Sequence, residues 1–186
     1  MELVELIRSR RTIHNYKAES IAENVIEESI EMAIWAPNHK HTQPWLFYRL
    51  GPNAREALTE LAIRVNQKNL GEDFNEQKAA AIAKKFNSPA EIFVVGMKTE
   101  SNPQRAHEDY ASLSCAIQNI SLYLWEKGIG TKWSTGDITR HKEIYKIIDV
   151  APDSIVLEGF LWMGIAEFVP KAPPKTTLDK IYFQTK

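Results

Sequence analysis

The chain has 186 residues, of which 44% are hydrophobic and 25% are charged, and its formal net charge is −1. This length predicts one well-buried core, so residues 1–186 are expected to form a single domain. The near-zero charge excludes a global field that would select nucleic acid or an anionic membrane. The single cysteine, Cys115, excludes an internal disulfide and fits a reducing compartment.

No membrane-spanning segment is predicted, because no apolar run approaches about 18 residues. The first residues, MELVELIRSRRT, have an acidic residue second and no apolar signal-peptide core. A cytoplasmic protein is therefore expected.

The first half of the chain is predicted to be mainly helical. Apolar spacing in residues 2–10 predicts a short helix. The pattern SIAE, with Ser20 and Glu23 three residues apart, predicts a capping box at the start of a second helix, which Pro37 is expected to end. The next predicted elements are a strand at 45–50 and helices at 52–66 and 76–87.

The longest predicted helix covers residues 103–127, where apolar residues recur at spacings of three and four. Asn102 is its predicted N-cap, Pro103 takes its first position, and Gly128 is its predicted C-cap. A helix of this length extends roughly 36 Å. It is expected either to be the central helix or to lie at a subunit interface.

Short apolar runs in the second half predict strands, and only this half resembles repeating βα units. The predicted elements are strands at 92–95, 128–137 and 154–166 and a short helix at 139–148. The predicted fold class is α+β, or a mixed α/β layer, in which helices dominate and flank a central mixed or antiparallel sheet.

Positive charge is concentrated at the end of the first helix, where Arg8, Arg10 and Arg11 are followed by Thr12. Guanidinium groups bind phosphate through paired hydrogen bonds. Cations at a helix C-terminus also stabilise the helix dipole, by about 0.3–1 kcal/mol. From these residues alone, both interpretations remain open.

Other catalytic signals are weak. The chain contains neither a Walker A motif nor a G-x-G-x-x-G fingerprint. His39 and His41 lie two residues apart in the loop between the second predicted helix and the strand at 45–50, and they lack the spacing of metal ligands. Ser114 and Cys115 have no nucleophile elbow around them. Neither a metal site nor a covalent nucleophile is predicted.

Three segments together resemble the nitroreductase family of FMN flavoproteins. The family patterns are R-R-[ST]-x-x-x-[FY], then A-P-S-x-x-N-x-Q-P-W-x-F, or A-P-D-H-K-x-x-Q-P-W in a short subgroup, and later G-[LIV]-G-x-x-x-x-x-G. The matching segments are RSRRTIHNY at 8–16, APNHKHTQPWLF at 36–47 and GIGTKWSTGD at 128–137. The resemblance covers nearly the whole chain. It implies a nitroreductase-like fold and a homodimer of the domain-swapped type, with FMN at the subunit interface.

The resemblance also implies which residues contact FMN. Those implied for the phosphate and ribityl chain are Arg10, Arg11, Thr12 and Lys171. Those implied beside the flavin ring are Trp133, Ser134, Thr135 and Gly136, with the Gly136 backbone N–H as the donor to flavin N5 or O4. Those implied from the partner subunit are Trp35, His39 and Gln43. The segment implied for the nicotinamide cofactor comprises Tyr123, Leu124, Trp125, Glu126, Lys127 and Gly128.

Two positions depart from the family pattern. His41 stands where larger members have asparagine, and His14 stands where lysine or arginine usually lies near flavin N1 and O2. A fixed positive charge there stabilises the anionic reduced flavin, whereas histidine supplies that charge only when protonated. His14 is therefore expected to contact FMN and to make its reduction depend on pH. The structural alternative is a solvated or core histidine.

The implied activity is an FMN-dependent oxidoreductase that transfers hydride from NADH or NADPH to a nitroaromatic, quinone or related small molecule by a ping-pong mechanism. FMN supplies the hydride chemistry, so no side chain is predicted to be catalytic. The alternatives are a flavin-dependent dehydrogenase or dehalogenase of the same family, and a flavin-binding module with low turnover. No nucleic-acid or membrane partner is predicted.

Overall fold

Helices cover more of the chain than strands in the computed structural model, which describes residues 2–185. The helices are α1 Leu3–Ser9, α2 Glu23–Glu31, α3 Pro52–Leu70, α4 Glu76–Asn87, α5 Pro103–Glu126 and α6 Glu143–Ile147. The strands are β1 Trp45–Arg49, β2 Glu91–Lys98, β3 Ile129–Ser134 and β4 Ile155–Ile165. The predicted α+β class with dominant helices is confirmed.

The four strands form one sheet in the order β1-β2-β4-β3, and every neighbouring pair is antiparallel. The expectation of repeating βα units is therefore only partly met. Both β2 and β3 are antiparallel to β4, so they run in the same direction and α5 connects them as a crossover helix. β4 inserts between them, giving a split β-α-β arrangement. This order leaves β3 at one edge of the sheet.

Helices cover both faces of the sheet. One apolar cluster joins α3 and α4 to the sheet through Leu58, Leu61, Phe86 and Trp162. The other cluster joins α2 and α5 to the opposite face through Ile26, Leu113, Ile117, Ile120, Leu124 and Met163. Full burial of one such side chain contributes about 1.5–3 kcal/mol. The second cluster makes α5 a core helix, which is one of the two positions expected from the sequence.

Asn102 caps α5 as predicted, because its side chain accepts hydrogen bonds from the backbone N–H groups of Gln104 and Arg105. The capping box at Ser20 is wrong. Helix α2 begins at Glu23 after Ala22, and no side chain caps it. The Glu23 carboxylate accepts a hydrogen bond from Arg49 on β1, so it does not return to the backbone of Ser20.

The short helix expected at 139–148 is also wrong in its extent. A 3₁₀ turn occupies Asp137–Arg140, and α6 covers only Glu143–Ile147. His141 separates them with an extended backbone, at φ −68° and ψ 136°. No helix within residues 2–185 is both long and apolar enough to cross a membrane.

Several large apolar side chains remain exposed in the single chain. They are Leu3, Val4 and Ile7 on α1, Ile34 and Trp35 after α2, and Phe168, Val169, Leu178, Ile181, Tyr182 and Phe183 after β4. Contiguous exposed apolar patches mark contact surfaces for proteins or membranes, or ligand-binding grooves.

Candidate functional site

The arginine-rich segment lies along the open edge of β3. The backbone N–H of Ile13 donates to Thr131 O at 3.0 Å, and Thr12 forms an isolated bridge with Thr131. Gly130 makes this approach possible, because a Cβ at that position would overlap the Ile13 side chain. The sheet edge therefore fixes where Arg10, Arg11 and Thr12 lie.

The two arginines have different local roles. Arg11 Nη1 donates to the carbonyls of Arg8 and Arg10 at 2.7 and 2.8 Å, so it closes the end of α1, while its Nε atom is buried without a hydrogen-bond partner. Partial burial, and then the charge of Arg11, lower the Arg10 pKa. Within residues 2–185 no carboxylate forms an ion pair with either guanidinium. The guanidinium groups of Arg10 and Arg11 therefore lie beside the exposed Thr12 without a carboxylate to balance their charge. Together these three side chains offer hydrogen-bond donors that suit a phosphate.

At the end of β3 the backbone groups, more than the side chains, are available to bind a ligand. Trp133 Nε1 donates to Glu158 O at 3.1 Å, and Ser134 Oγ accepts a hydrogen bond from Trp162 Nε1 at 2.8 Å. Thr131 O accepts from Ile13 at the open edge, so Trp133, two residues later, directs its own N–H and C=O to that same edge.

The residues after β3 leave the sheet. Thr135 and Gly136 are exposed, and the Gly136 carbonyl accepts hydrogen bonds from Thr139 N at 2.8 Å and Thr139 Oγ1 at 2.7 Å. These bonds to the carbonyl fix the turn at Gly136. The Gly136 N–H makes no hydrogen bond to any residue within 2–185.

Buried polar contacts hold the loop that contains Trp35, His39 and Gln43. The Thr42 hydroxyl donates to the carboxylate of Asp109, which is 3% exposed. Asn38 Nδ2 donates to Ser112 Oγ at 3.2 Å and to Thr42 Oγ1 at 3.0 Å. These bonds tie the loop to the N-terminal half of α5.

The same loop has an unusual backbone. Lys40, His41 and Gln43 have φ values of 60°, 52° and 46°, a region that residues with a Cβ seldom adopt. Asn38 Oδ1 accepts from the Gln43 backbone N–H at 2.7 Å and so holds this conformation. Strain of this kind persists only where surrounding contacts over-determine it. The network therefore fixes the exposed His39 and Gln43 in place.

We predict that Thr42→Val destabilises the protein by about 1.5–3 kcal/mol, because it leaves the buried Asp109 carboxylate without its hydroxyl donor. For a chain of this size the melting temperature should fall by roughly 3–12 °C, measured by calorimetry. Thr99→Val is the matched control, since Thr99 is exposed. Equal melting temperatures for the two variants would contradict a stabilising role of the Thr42 hydroxyl.

The predicted site residues form two groups within one chain. The loop contacts α5 at Asp109 and Ser112, whereas Trp125 near the other end of α5 donates from Nε1 to Ser9 Oγ at 3.0 Å, next to Arg10. These contacts on α5 are roughly 20 Å apart along the helix. His39 accordingly lines a different cavity from His14.

The predicted nicotinamide segment ends α5. Tyr123 donates its hydroxyl to Glu28, and the Leu124 side chain is fully buried, so these two serve the packing. Glu126, Lys127 and Gly128 are exposed, and Gly128 ends the helix at φ 78°. The exposed end is thus the part of the segment that is open to a ligand.

Two further predicted residues lie on the surface. Trp35 ends a 3₁₀ turn with 73% of its surface exposed, and Lys171 is exposed in the irregular segment after β4. Within residues 2–185, no hydrogen bond or ion pair joins either residue to Arg10, Arg11 or Thr12.

A model described as Nitroreductase family matches residues 7–165. The chain belongs to the nitroreductase family. It is 28% identical over 176 residues to the Bacillus subtilis (strain 168) protein named Putative NAD(P)H nitroreductase YfhC, covering 95% of this chain and 90% of that protein. The family identity predicted from the three motifs is confirmed.

Solved structures show the same fold. The crystal structure of a nitroreductase-like family protein from Bacillus cereus aligns with a TM-score of 0.83 at 23% identity, covering 100% of this chain and 97% of that chain. The structure of a protein described as a putative nitroreductase in complex with FMN, from Desulfovibrio desulfuricans, aligns with a TM-score of 0.75 at 17% identity, covering 100% of this chain and 98% of that chain. The predicted nitroreductase-like fold is confirmed.

The surroundings of His14 disfavour its protonated form. Burial, then Lys132, then Lys85 lower its pKa, so His14 is mostly uncharged at neutral pH. Lys132 on β3 was missed from the sequence. The available signal was a lysine inside the predicted apolar strand, in the stretch IGTKW.

Proposed function

We propose that this chain is an FMN-dependent oxidoreductase that transfers hydride from NADH or NADPH to a nitroaromatic, a quinone or a related small molecule. The observation that carries the proposal is the pair Arg10 and Arg11, which have no carboxylate partner within residues 2–185 and lie beside the open edge of β3. Membership of the nitroreductase family and the FMN complex of the Desulfovibrio desulfuricans protein support the same reading.

We assign the FMN phosphate to Arg10, Arg11, Thr12 and the distant Lys171. The fit rests on unused hydrogen-bonding capacity, since the buried Arg11 Nε has no partner and Thr12 is exposed. A dianionic phosphate would supply acceptors to these donors and offset the repulsion between the two guanidinium groups. The segment from Trp133 to Gly136 then borders the flavin ring, chiefly through its backbone.

The loop residues Trp35, His39 and Gln43 serve the FMN of the partner subunit in this proposal. Their separation from the arginine segment along α5 supports a site that two chains complete. The exposed apolar residues of α1 and of the segment after β4 supply surface for the contact between these chains. An obligate interface buries above about 2,000 Å² in total.

Bound FMN supplies the hydride-transfer chemistry. The chain's own residues bind the phosphate, border the ring and donate backbone hydrogen bonds. NAD(P)H and the acceptor use one open face in turn, which is a ping-pong cycle, and the exposed end of the segment Tyr123–Gly128 contacts the nicotinamide cofactor.

Anaerobic titration of the FMN-loaded protein with NADH and with NADPH tests this function. Either reductant should bleach the visible flavin absorption, and a nitroaromatic or quinone should restore it. Initial rates at several fixed acceptor concentrations should give parallel double-reciprocal lines. Slow bleaching by both reductants would instead identify a flavin-binding module with low turnover.

The same preparation tests the assembly. Sedimentation at micromolar concentration should give a dimer that carries FMN. A folded, FMN-loaded monomer under these conditions would overturn the two-chain site, because one chain would then hold the cofactor alone.

A further inference from the structure

A cavity of about 340 Å³ lies between the N-terminal segment, α4 and β3, and positive groups dominate its lining. His14 comes from the N-terminal segment, Lys84 and Lys85 come from α4, and Lys132 comes from β3. Glu167, just after β4, is the carboxylate in this lining. A cavity lined mainly by one sign of charge attracts a ligand of the opposite sign. An anion therefore fits here.

Lys132 is the most enclosed cation of the cavity. It is 7% exposed, and its Nζ lies 4.1 Å from the centroid of the Trp162 ring. No ion pair joins it to a carboxylate within residues 2–185. Burial, and then Lys85, lower its pKa to about 8, so it is still mostly protonated at neutral pH. The ring stabilises this cation, but the chain itself supplies no anion to it.

The cavity adjoins the site already described. Lys132 directly precedes Trp133, and it shares the cavity with His14, which follows Thr12 by two residues. The phosphate has its own donors in Arg10 and Arg11. A further negative charge, separate from that of the dianionic phosphate, would arise on FMN when the ring is reduced and N1 loses its proton, and it would spread over N1 and O2.

We propose that Lys132 stabilises the negative charge of reduced FMN and thereby raises the reduction potential of the bound flavin. This inference rests on the proposed function and deepens it, because it assigns the charged group that controls electron uptake. The role falls on a residue of β3 and not on His14.

The neighbouring charged groups explain why the role falls on Lys132 and not on His14. Burial, and then the positive charges of Lys132 and Lys85, disfavour a positive charge on His14, whose pKa lies below its ordinary value. Lys84 and Lys85 project from α4 at the exposed side of the cavity, and Glu167 faces them from the end of β4. At neutral pH the enclosed positive charge is therefore that of Lys132.

Lys132→Met removes the charge and keeps much of the aliphatic side chain that lies over Trp162. Spectroelectrochemical titration should give a lower potential, with reduced FMN bound about tenfold more weakly relative to oxidised FMN, which is about 30 mV for a two-electron couple. Lys132→Arg keeps a charge and should restore most of the potential. Lys146→Met, an exposed lysine on α6, is the matched control and should leave the potential unchanged.

The binding constants separate the alternatives. If wild type binds no FMN in fluorescence-quenching titrations, the proposed function and this inference both fail. If wild type binds FMN but Lys132→Met keeps its potential, only this inference fails. Equal weakening of oxidised and reduced FMN in Lys132→Met would also overturn it, since Lys132 would then hold the phosphate or the fold. If Lys132→Met does not fold, Lys132→Arg tests the proposal alone. A potential close to that of wild type supports a role of the positive charge, and a clearly lowered potential excludes it.

The pH dependence gives a second readout. In oxidised protein Lys132 loses its proton near pH 8, whereas an adjacent anionic ring raises that pKa. A tenfold effect corresponds to a rise of about one pKa unit. The potential difference between wild type and Lys132→Met should therefore be full below about pH 8 and vanish above about pH 9. A difference that stays constant to about pH 10 would contradict the charge of Lys132 as its cause.

Discussion

Arg10→Gln is expected to weaken FMN binding by roughly 10- to 100-fold, since a charge-assisted hydrogen bond to phosphate contributes about 1.5–3 kcal/mol. Riboflavin lacks the phosphate, so its affinity should change by less than about twofold. Arg10 suits this test because no described hydrogen bond or ion pair commits its side chain to the fold. Fluorescence quenching with both ligands measures the difference.

Arg8→Gln is the matched control, because Arg8 is an exposed arginine on α1 and only its carbonyl is used, as an acceptor from Arg11. It should leave both affinities unchanged. Arg11→Gln should weaken FMN and also loosen the end of α1, since the Arg11 side chain donates to two carbonyls there. Equal losses of FMN and riboflavin affinity in Arg10→Gln would mean that Arg10 contacts the ring or supports the fold.

The elements that depend on local patterns were predictable from the sequence. Helix α5 has its apolar residues at helical spacing, its cap at Asn102 and its stop at Gly128, and all of these signals act within one turn of the helix. The family motifs likewise lie in short segments. The fold class and the family identity followed from these local signals.

Features that depend on distant residues were not predictable. The capping box at Ser20 failed because Arg49, on a strand that follows by more than twenty residues, bonds to the Glu23 carboxylate. The insertion of β4 between β2 and β3 is likewise a choice of pairing that no local pattern encodes.

In the candidate site, too, some features depend on residues that are distant in the sequence. Lys40, His41 and Gln43 have positive φ although none is glycine, and the contacts that hold them involve Asp109 and Ser112 on another element. The expected role of His14 rests on the resemblance to the family pattern. Its pKa depends on burial and on Lys132 and Lys85, which the sequence separates from it by more than seventy residues.

A backbone donor at Gly136 is testable by a substitution that removes only the N–H. Gly136 has φ −68°, which matches the fixed φ of proline, and a Cβ there meets no atom within 4 Å. Gly136→Pro should therefore fold, with a melting temperature close to that of wild type. Gly136→Ala is the matched control, since it adds the Cβ and keeps the N–H.

If the Gly136 N–H donates to flavin N5 or O4, it acts where negative charge develops during hydride transfer. Removing one donor from an oxyanion hole lowers a rate by roughly 10²–10³-fold, so a loss of at least about tenfold is expected here. Stopped-flow bleaching by NADH or NADPH should therefore slow by that factor in Gly136→Pro, while Gly136→Ala stays within about twofold of wild type. FMN affinity should change less than the rate, because the arginine segment still binds the phosphate. Equal slowing in both variants would point to a steric effect of the Cβ, and a wild-type rate in Gly136→Pro would exclude this N–H as the donor.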